Sequence, residues 1–184
     1  MKRRLFLSGP IGCGKSTAIA AAVGDSLPSF GGFLTRRQRD EQGHAITFSL
    51  ASPDGNREQI FLDCSHGYPS ITMDIFKDLA PKLMHGDLLI LDEIGGMELL
   101  QPEFMSALYA VLESDIPIIG VLKGEAAASA MIRRLGLTEA YEVALRDLHK
   151  RLAEDENTQI YHCGQHDSQA LALCQEWVKE FVRD

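Results

Sequence analysis

Runs of consecutive apolar residues alternate along this chain with longer, helix-favouring segments. Residues 2–8 contain the run Leu5-Phe6-Leu7, and continuous apolar runs are typical of strands buried on both faces of a parallel sheet. Residues 16–23 are rich in alanine, a strong helix former, and Gly24 ends that segment. The alternation continues with helices predicted at 72–84, 102–113 and 125–135 and strands at 87–92 and 117–122. It predicts an α/β fold with a mostly parallel sheet and helices on both of its faces.

The segment between residues 31 and 64 has a different pattern. It contains three short β-prone runs, at 31–38, 44–50 and 57–64, and turn-rich stretches at 39–43 and 52–56 separate them. We therefore predict an antiparallel β-meander inserted into the parallel sheet.

The last part of the chain is predicted to complete the same domain. We expect a strand at 141–144, a helix at 146–153, a strand at 158–163 and a helix at 167–182. Trp177 and other apolar residues of the last helix recur at helical spacing and are expected in the core. No linker divides the sequence, so residues 1–184 are predicted to form one domain, with a C-terminal strand and helix at about 155–184.

Composition limits the compartment and the partners. Of the 184 residues, 45% are hydrophobic and 24% charged, which is the make-up of one globular domain. The chain has no uncharged apolar run of about 18 residues and no signal-peptide pattern, so we expect a cytoplasmic protein without a membrane span. The net charge of −8 argues against nucleic acid as the main partner, because such binding needs clustered positive charge.

The cysteine pattern favours reduced thiols over disulfides. Cys13, Cys64, Cys163 and Cys174 are spread singly along the chain. His162, Cys163 and His166 form a local cluster of metal-binding residue types, for which a simple turn is the favoured interpretation. We predict no structural zinc.

A glycine-rich motif lies between the first predicted strand and the first predicted helix. Its sequence, Gly9-Pro-Ile-Gly-Cys-Gly-Lys15-Ser16, matches a phosphate-binding loop (P-loop). Glycines let backbone N–H groups point inward at a phosphate, and the following helix adds the positive end of its dipole. Lys15 is predicted to reach the β- and γ-phosphates and Ser16 to bind Mg²⁺. The predicted nucleotide-binding residues are Gly9, Pro10, Ile11, Gly12, Cys13, Gly14, Lys15, Ser16 and Thr17.

A second motif ends the strand predicted at 87–92. Four apolar residues precede Asp92 and Glu93, and a buried strand brings both carboxylates to the C-terminal edge of the sheet, where ligands bind in such folds. Asp92 is predicted to hold Mg²⁺ through a water or the Ser16 hydroxyl, as a Walker B aspartate does. Glu93 is predicted to polarise the attacking water, the alternative being that it caps the loop or pairs with an arginine.

These motifs resemble those of the THEP family, also known as cancer-related nucleoside-triphosphatases. The specific match is Asp92-Glu-Ile-Gly-Gly-Met-Glu98, beside the P-loop and a Gly-Phe-x-Thr pattern that opens the meander at Gly32. The resemblance covers residues from 3 to about 150. It implies a RecA-like P-loop core and slow, Mg²⁺-dependent hydrolysis of several nucleoside triphosphates.

The same resemblance bears on individual residues. It supports the roles given above to Lys15 and Glu93, and it makes Arg146, in a Leu-Arg-Asp sequence, a candidate for contact with the γ-phosphate. The chain departs from the family at Arg36 and Arg37, where acidic residues are usual, so the preferred nucleotide is left open.

Further charged residues are weaker candidates for the site. Phosphoryl transfer usually needs a cation besides Mg²⁺ and the P-loop lysine. Arg36, Arg37 and Arg39 lie either on a solvated hairpin tip or over the nucleotide. Lys123 ends the strand after that of Asp92, where a polar group can sense the γ-phosphate, but a lysine at a strand end is more often solvated, and solvation is expected here. Glu98 is a second candidate for orienting water.

Two other functions fit the same motifs. A small-molecule or nucleotide kinase uses a similar loop but needs a lid that excludes water. Residues 125–136 are a candidate lid, although their pattern fits a crossover helix with Arg133 and Arg134 facing solvent. A nucleotide-gated binding module would use slow turnover to time a conformational switch with a protein partner, which the sequence leaves unassigned.

Overall fold

The computed structural model describes residues 1–165 and 167–182, in which one mixed sheet has helices on both faces. Its strands are β1 (Arg4–Ser8), β2 (Gly31–Arg39), β3 (Ala45–Ala51), β4 (Glu58–Asp63), β5 (Ser70–Ile71), β6 (Leu89–Ile94), β7 (Ile118–Leu122) and β8 (Thr158–His162). Its α-helices are α1 (Lys15–Val23), α2 (Asp74–Leu79), α3 (Pro102–Glu113), α4 (Glu125–Leu135), α5 (Glu139–Glu154) and α6 (Ser168–Phe181). Short 3-10 helices lie at Gly24–Ser29, Ala80–Lys82 and Met97–Leu100.

The strand order is β5-β4-β3-β2-β6-β7-β1-β8. Strands β2, β6, β7, β1 and β8 pair in parallel, and β3, β4 and β5 extend the sheet from β2 in an antiparallel manner. The predicted parallel sheet with an antiparallel meander is therefore confirmed. Only β7 separates β1 from β6, so the two sequence motifs meet at the same edge of the sheet.

Two hydrophobic layers hold the helices to the sheet. Successive side chains of a strand point to opposite faces, so Leu5 and Leu7 pack with Ile19 of α1 and Trp177 of α6, as expected for Trp177. Phe6 instead belongs to the layer that contains the buried residues of α2, α3 and α5. Burial on both sides explains why β1 reads as a continuous apolar run.

The strand predicted at 141–144 is wrong. Residues 141–144 and 146–153 belong to the single helix α5. Its buried residues, Tyr141, Leu145, Leu148 and Leu152, recur every three or four positions and so form one helical face against the sheet. A four-residue β-prone stretch is outweighed by this longer periodicity.

Smaller differences affect the second predicted helix and the second motif. The helix predicted at 72–84 is regular only in α2, and a 3-10 helix follows because Pro81 lacks the N–H that an α-helix interior requires. Strand β6 continues past Asp92 to Ile94. Among the described residues, no helix combines the length and the apolar character needed to cross a membrane.

Candidate nucleotide site

The loop between β1 and α1 has the backbone of an anion-binding site. Gly12 and Gly14 have φ angles of +82° and +95°, which glycine adopts at little cost. Helix α1 begins at Lys15, directly after this loop, so its N-terminal N–H groups face the same space. A cavity of about 290 Å³, here called the phosphate cavity, adjoins the loop. It is lined by loop residues together with Thr35, Arg37, Arg39, Asp92 and Glu93.

Lys15 lies over the loop that carries it. Its Nζ donates hydrogen bonds to the carbonyl oxygens of Gly9 at 2.9 Å and Pro10 at 2.8 Å. The ammonium group is therefore held at the mouth of the loop, where it can exchange these neutral acceptors for phosphate oxygens.

Asp92 lies at the buried floor of the phosphate cavity. Only 5% of the residue is exposed, and this burial raises the pKa of its carboxyl group to about 6, although a hydrogen bond from Ser16 acts in the opposite direction. The structure thus brings together the two residues predicted to bind the metal. Carboxylate and hydroxyl oxygens are the ligand type that Mg²⁺ prefers.

Glu93 is held between two cations. Its Oε2 accepts a hydrogen bond from Lys123 Nζ at 2.9 Å and another from Arg37 Nη2 at 3.3 Å. Its backbone N–H donates to Thr35 Oγ1 at 3.1 Å. The side chain is 11% exposed, so these ion pairs are only weakly screened by water. The pairing with an arginine that was the alternative to a catalytic role is therefore present, and Glu93 also lines the phosphate cavity.

The expectation that Lys123 is solvated is wrong. Its side chain is 13% exposed because β7 pairs in parallel with β6, and Leu122 lies opposite Ile94. This pairing places the residue after β7 beside Glu93. The alternative interpretation, a lysine close to the site at the end of the strand that follows the acidic motif, agrees with this position.

The meander arginines point to opposite sides of β2. Arg37 and Arg39 line the phosphate cavity, while Arg36 pairs with Glu58 at 2.9 Å on an exposed surface. Alternation along the strand explains the division. The predicted basic cluster thus contributes two of its three members to the candidate site.

Glu98 orders the loop after β6. Its Oε1 accepts hydrogen bonds from the N–H groups of Gly95 and Gly96, both at 2.7 Å, and Tyr141 Oη donates to the Gly95 carbonyl oxygen at 2.8 Å. The residue is 4% exposed, and burial raises the pKa of its carboxyl group to about 7. These contacts favour a structural role for Glu98 over the orientation of water.

Other predicted candidates lie away from the phosphate cavity. Arg146 is exposed on α5 and, within the described part of the chain, does not line that cavity. Arg133 and Arg134 are exposed on α4, as expected. In the C-terminal cluster Cys163 is buried and His162 exposed, whereas His166 is outside the described residues.

The fold and this site define a class. A parallel sheet with a P-loop after β1, and an acidic pair at the end of β6, is the architecture of a P-loop nucleoside-triphosphatase. A family model described as NTPase matches residues 4–154. The chain belongs to the THEP1 family of nucleoside-triphosphatases.

Individual relatives agree with this assignment. The chain is 32% identical over 132 residues to "Nucleoside-triphosphatase THEP1" of Methanosarcina acetivorans, covering 65% of this chain and 75% of the relative. It is 31% identical over 146 residues to "Cancer-related nucleoside-triphosphatase homolog" of Mus musculus, covering 66% and 76%. The crystal structure of THEP1 from Aquifex aeolicus matches with a TM-score of 0.62 over 98% of this chain and 99% of that chain. At 14% identity this last match supports the fold, which is the predicted RecA-like P-loop fold.

Proposed function

We propose that this protein hydrolyses nucleoside triphosphates to diphosphate and phosphate, in a slow, Mg²⁺-dependent reaction of broad base specificity. The observation that carries the proposal is the position of the Glu93 carboxylate in the phosphate cavity, directly after Asp92 and across from the P-loop. The names of the THEP1 relatives support hydrolysis in general.

The donor set fits a magnesium ion. The buried Asp92 carboxylate and the Ser16 hydroxyl would hold it, and in nucleotide sites one or two protein oxygens suffice because phosphate oxygens supply further ligands. When bound, the ion would neutralise charge on the β- and γ-phosphates. Lys15 would add a second positive charge at the loop.

Glu93 is the group proposed to polarise the attacking water. Its Oε2 atom is shared by Lys123 and Arg37. Phosphate oxygens can attract both cations, which would release the carboxylate toward a water molecule. This requirement favours slow turnover, because the two cations must move before the carboxylate oxygen that they share can contact a water.

Broad base specificity follows from what lines the phosphate cavity. Its loop, acidic and basic residues suit phosphates and a metal, which all nucleoside triphosphates present alike. The test is phosphate release from ATP, GTP, CTP and UTP without an acceptor. Comparable rates support the proposal, and a rate with one nucleotide alone contradicts broad specificity.

Glu93→Gln tests the catalytic role. The substitution keeps shape but removes basicity, so phosphate release should fall by at least about a hundredfold, the scale of a positioned general base. Affinity for the Mg²⁺-nucleotide, measured by calorimetry, should stay the same or become tighter because a negative charge leaves the cavity. Glu176→Gln, at an exposed position of α6, is the matched control and should hydrolyse normally.

The same assay separates the alternatives. Normal hydrolysis by Glu93→Gln would remove the role given to Glu93. Wild-type protein that releases no phosphate until an acceptor is added would favour the kinase, since a kinase excludes water from its closed site. Turnover that depends on a protein partner would favour the nucleotide-gated binding module.

A further inference from the structure

A second cavity lies against the phosphate cavity. This apolar cavity, of about 240 Å³, is enclosed by the inner face of the meander, the loop after β6 and helix α4. Six residues line both cavities, so the two are neighbours through a shared wall: Ile11, Thr35, Arg37, Arg39, Glu93 and Ala127. The aromatic residues of the meander and Ala130, Met131 and Arg134 of α4 line the apolar cavity and not the phosphate cavity.

Aromatic side chains form one wall of the apolar cavity. Phe61 lies between Phe48 and Phe76 in this wall. Its ring centroid is 6.3 Å from that of Phe48 and 5.1 Å from that of Phe76. Phe48 and Phe61 are only partly buried, although they belong to the hydrophobic layer of this face. Phe48, over whose ring Arg37 Cζ lies at 5.7 Å from the centroid, and Phe61 thus expose apolar ring area to the cavity, against which a flat molecule can pack.

Helix α4 forms the opposite wall and leaves the space open. Ala130 and Met131 face the cavity from this helix. Alanine is too small to reach across to the aromatic wall, and methionine adapts its shape to different occupants. The hollow therefore results from the residue sizes on two facing elements.

Positive charge dominates the rim of the apolar cavity. Arg37, Arg39, Lys123 and Arg134 line it, against the two acids Glu93 and Glu98. Glu98 is occupied by two backbone N–H groups, and Glu93 is paired with Lys123 and Arg37. Within the described residues, Arg134 takes part in no ion pair. In a chain of net charge −8, this local excess of cations selects an anion.

We propose that the apolar cavity binds a small molecule with a flat aromatic body and one anionic group. The body stacks against the aromatic wall, and the anionic group reaches the arginines of the rim. The volume is slightly below the range of roughly 300 to 1,000 Å³ for pockets that hold drug-sized ligands, so the occupant is small. The inference rests on this cavity alone and does not require Glu93 to be a catalytic base.

The test uses 2-naphthoate as the probe and 2-naphthamide as its neutral analogue of similar shape. Calorimetric titrations are made on the full chain without nucleotide, so their result does not depend on hydrolysis. Naphthoate should bind at least about fivefold more tightly than naphthamide, because a charge-assisted hydrogen bond contributes more than a neutral one. No binding of naphthoate, or equal affinity for both probes, would overturn the proposal.

Two pairs of variants on α4 locate the binding. Ala130→Trp fills the cavity and should weaken naphthoate binding at least about tenfold, whereas Ser129→Trp, an exposed neighbour outside the lining, should change it less than about twofold. Arg134→Gln should weaken naphthoate about threefold or more and leave naphthamide unchanged, whereas Arg133→Gln should affect neither. If Ala130→Trp does not fold, the comparison of Arg134→Gln with Arg133→Gln still tests whether naphthoate binds in the apolar cavity. Identical affinities in Arg134→Gln and Arg133→Gln would exclude this site.

Discussion

Glu93 is the residue at which charges from three strands meet. It belongs to β6, Lys123 follows β7, and Arg37 belongs to β2. Each of these side chains is long and flexible, and the geometry is fixed only because the three strands are hydrogen-bonded neighbours. A ligand that attracts Lys123 or Arg37 therefore changes the hydrogen bonds of the Glu93 carboxylate.

Glu98 is expected to make stability depend on pH. Burial raises its carboxyl pKa from 4.5 to about 7, so between these values the folded state binds a proton that the unfolded state has released. Its contribution is fully present below pH 4.5 and is lost as the pH rises through about 7. Lys123 favours the charged form and thus limits the shift, and the Tyr141 hydroxyl contacts the same loop.

The measurement is urea unfolding of wild type and Glu98→Gln between pH 4.5 and 8. Glutamine still accepts from the N–H groups of Gly95 and Gly96 but does not titrate. Over this range the wild type should lose about 3 kcal/mol of unfolding free energy relative to the variant. Parallel pH profiles of the two proteins would contradict the buried titrating carboxyl group.

At the scale of one element, the alternation of β2 places neighbouring arginines on opposite faces of the sheet. Arg37 faces the phosphate cavity, and Arg36 faces the opposite surface, where it pairs with Glu58. Substitutions of Arg36 and Arg37 can therefore be compared to test which face of β2 contributes to nucleotide binding.

Arg37→Ala should weaken triphosphate binding at least about fivefold more than diphosphate binding, since one charge-assisted contact to the terminal phosphate is removed. Arg36→Ala, the matched control, should change both affinities by less than about twofold. Titrations with the two nucleotides give the result. Equal losses with tri- and diphosphate in Arg37→Ala would place this arginine away from the terminal phosphate.

Some features of the fold and of the candidate site could be predicted from local sequence, and others depend on how the strands are ordered in the sheet. The P-loop residues and the Asp92-Glu93 pair are consecutive and follow apolar strands, so their place at one edge of the sheet was predictable. The Glu93–Lys123 pair was not, because it depends on β7 lying beside β6. Helix α5 differs from the prediction for another reason. Residues 141–144 resemble a strand by themselves, whereas the spacing of Tyr141, Leu145 and Leu148 over the longer segment is that of one helical face.

At the scale of the whole molecule, nucleotide binding should stabilise the fold. A ligand present at a hundred times its dissociation constant adds about 2.7 kcal/mol to the unfolding free energy. For a chain of this size that corresponds to a rise in Tm of roughly 5 to 10 °C. Thermal unfolding of wild type with and without Mg²⁺-ATP measures the effect.

Lys15→Ala should show little of this rise, because it lacks the ammonium group held at the P-loop. Its Tm without nucleotide should remain near that of wild type, since the side-chain hydrogen bonds of this lysine stay within its own loop. An equal rise in both proteins would contradict the assignment of the P-loop as the nucleotide site.

The central place of β1 in the sheet has a consequence for protein synthesis. A ribosome makes chains from the N-terminal end, so β1 and the P-loop leave it before the other described strands. Both strands that pair with β1, Ile118–Leu122 and Thr158–His162, are made much later. The meander is made in between and pairs mainly within itself. During translation the apolar run of β1 therefore stays unpaired until β7 and β8 have been made. The growing polypeptide acquires a nucleotide site only once nearly all of these strands have emerged.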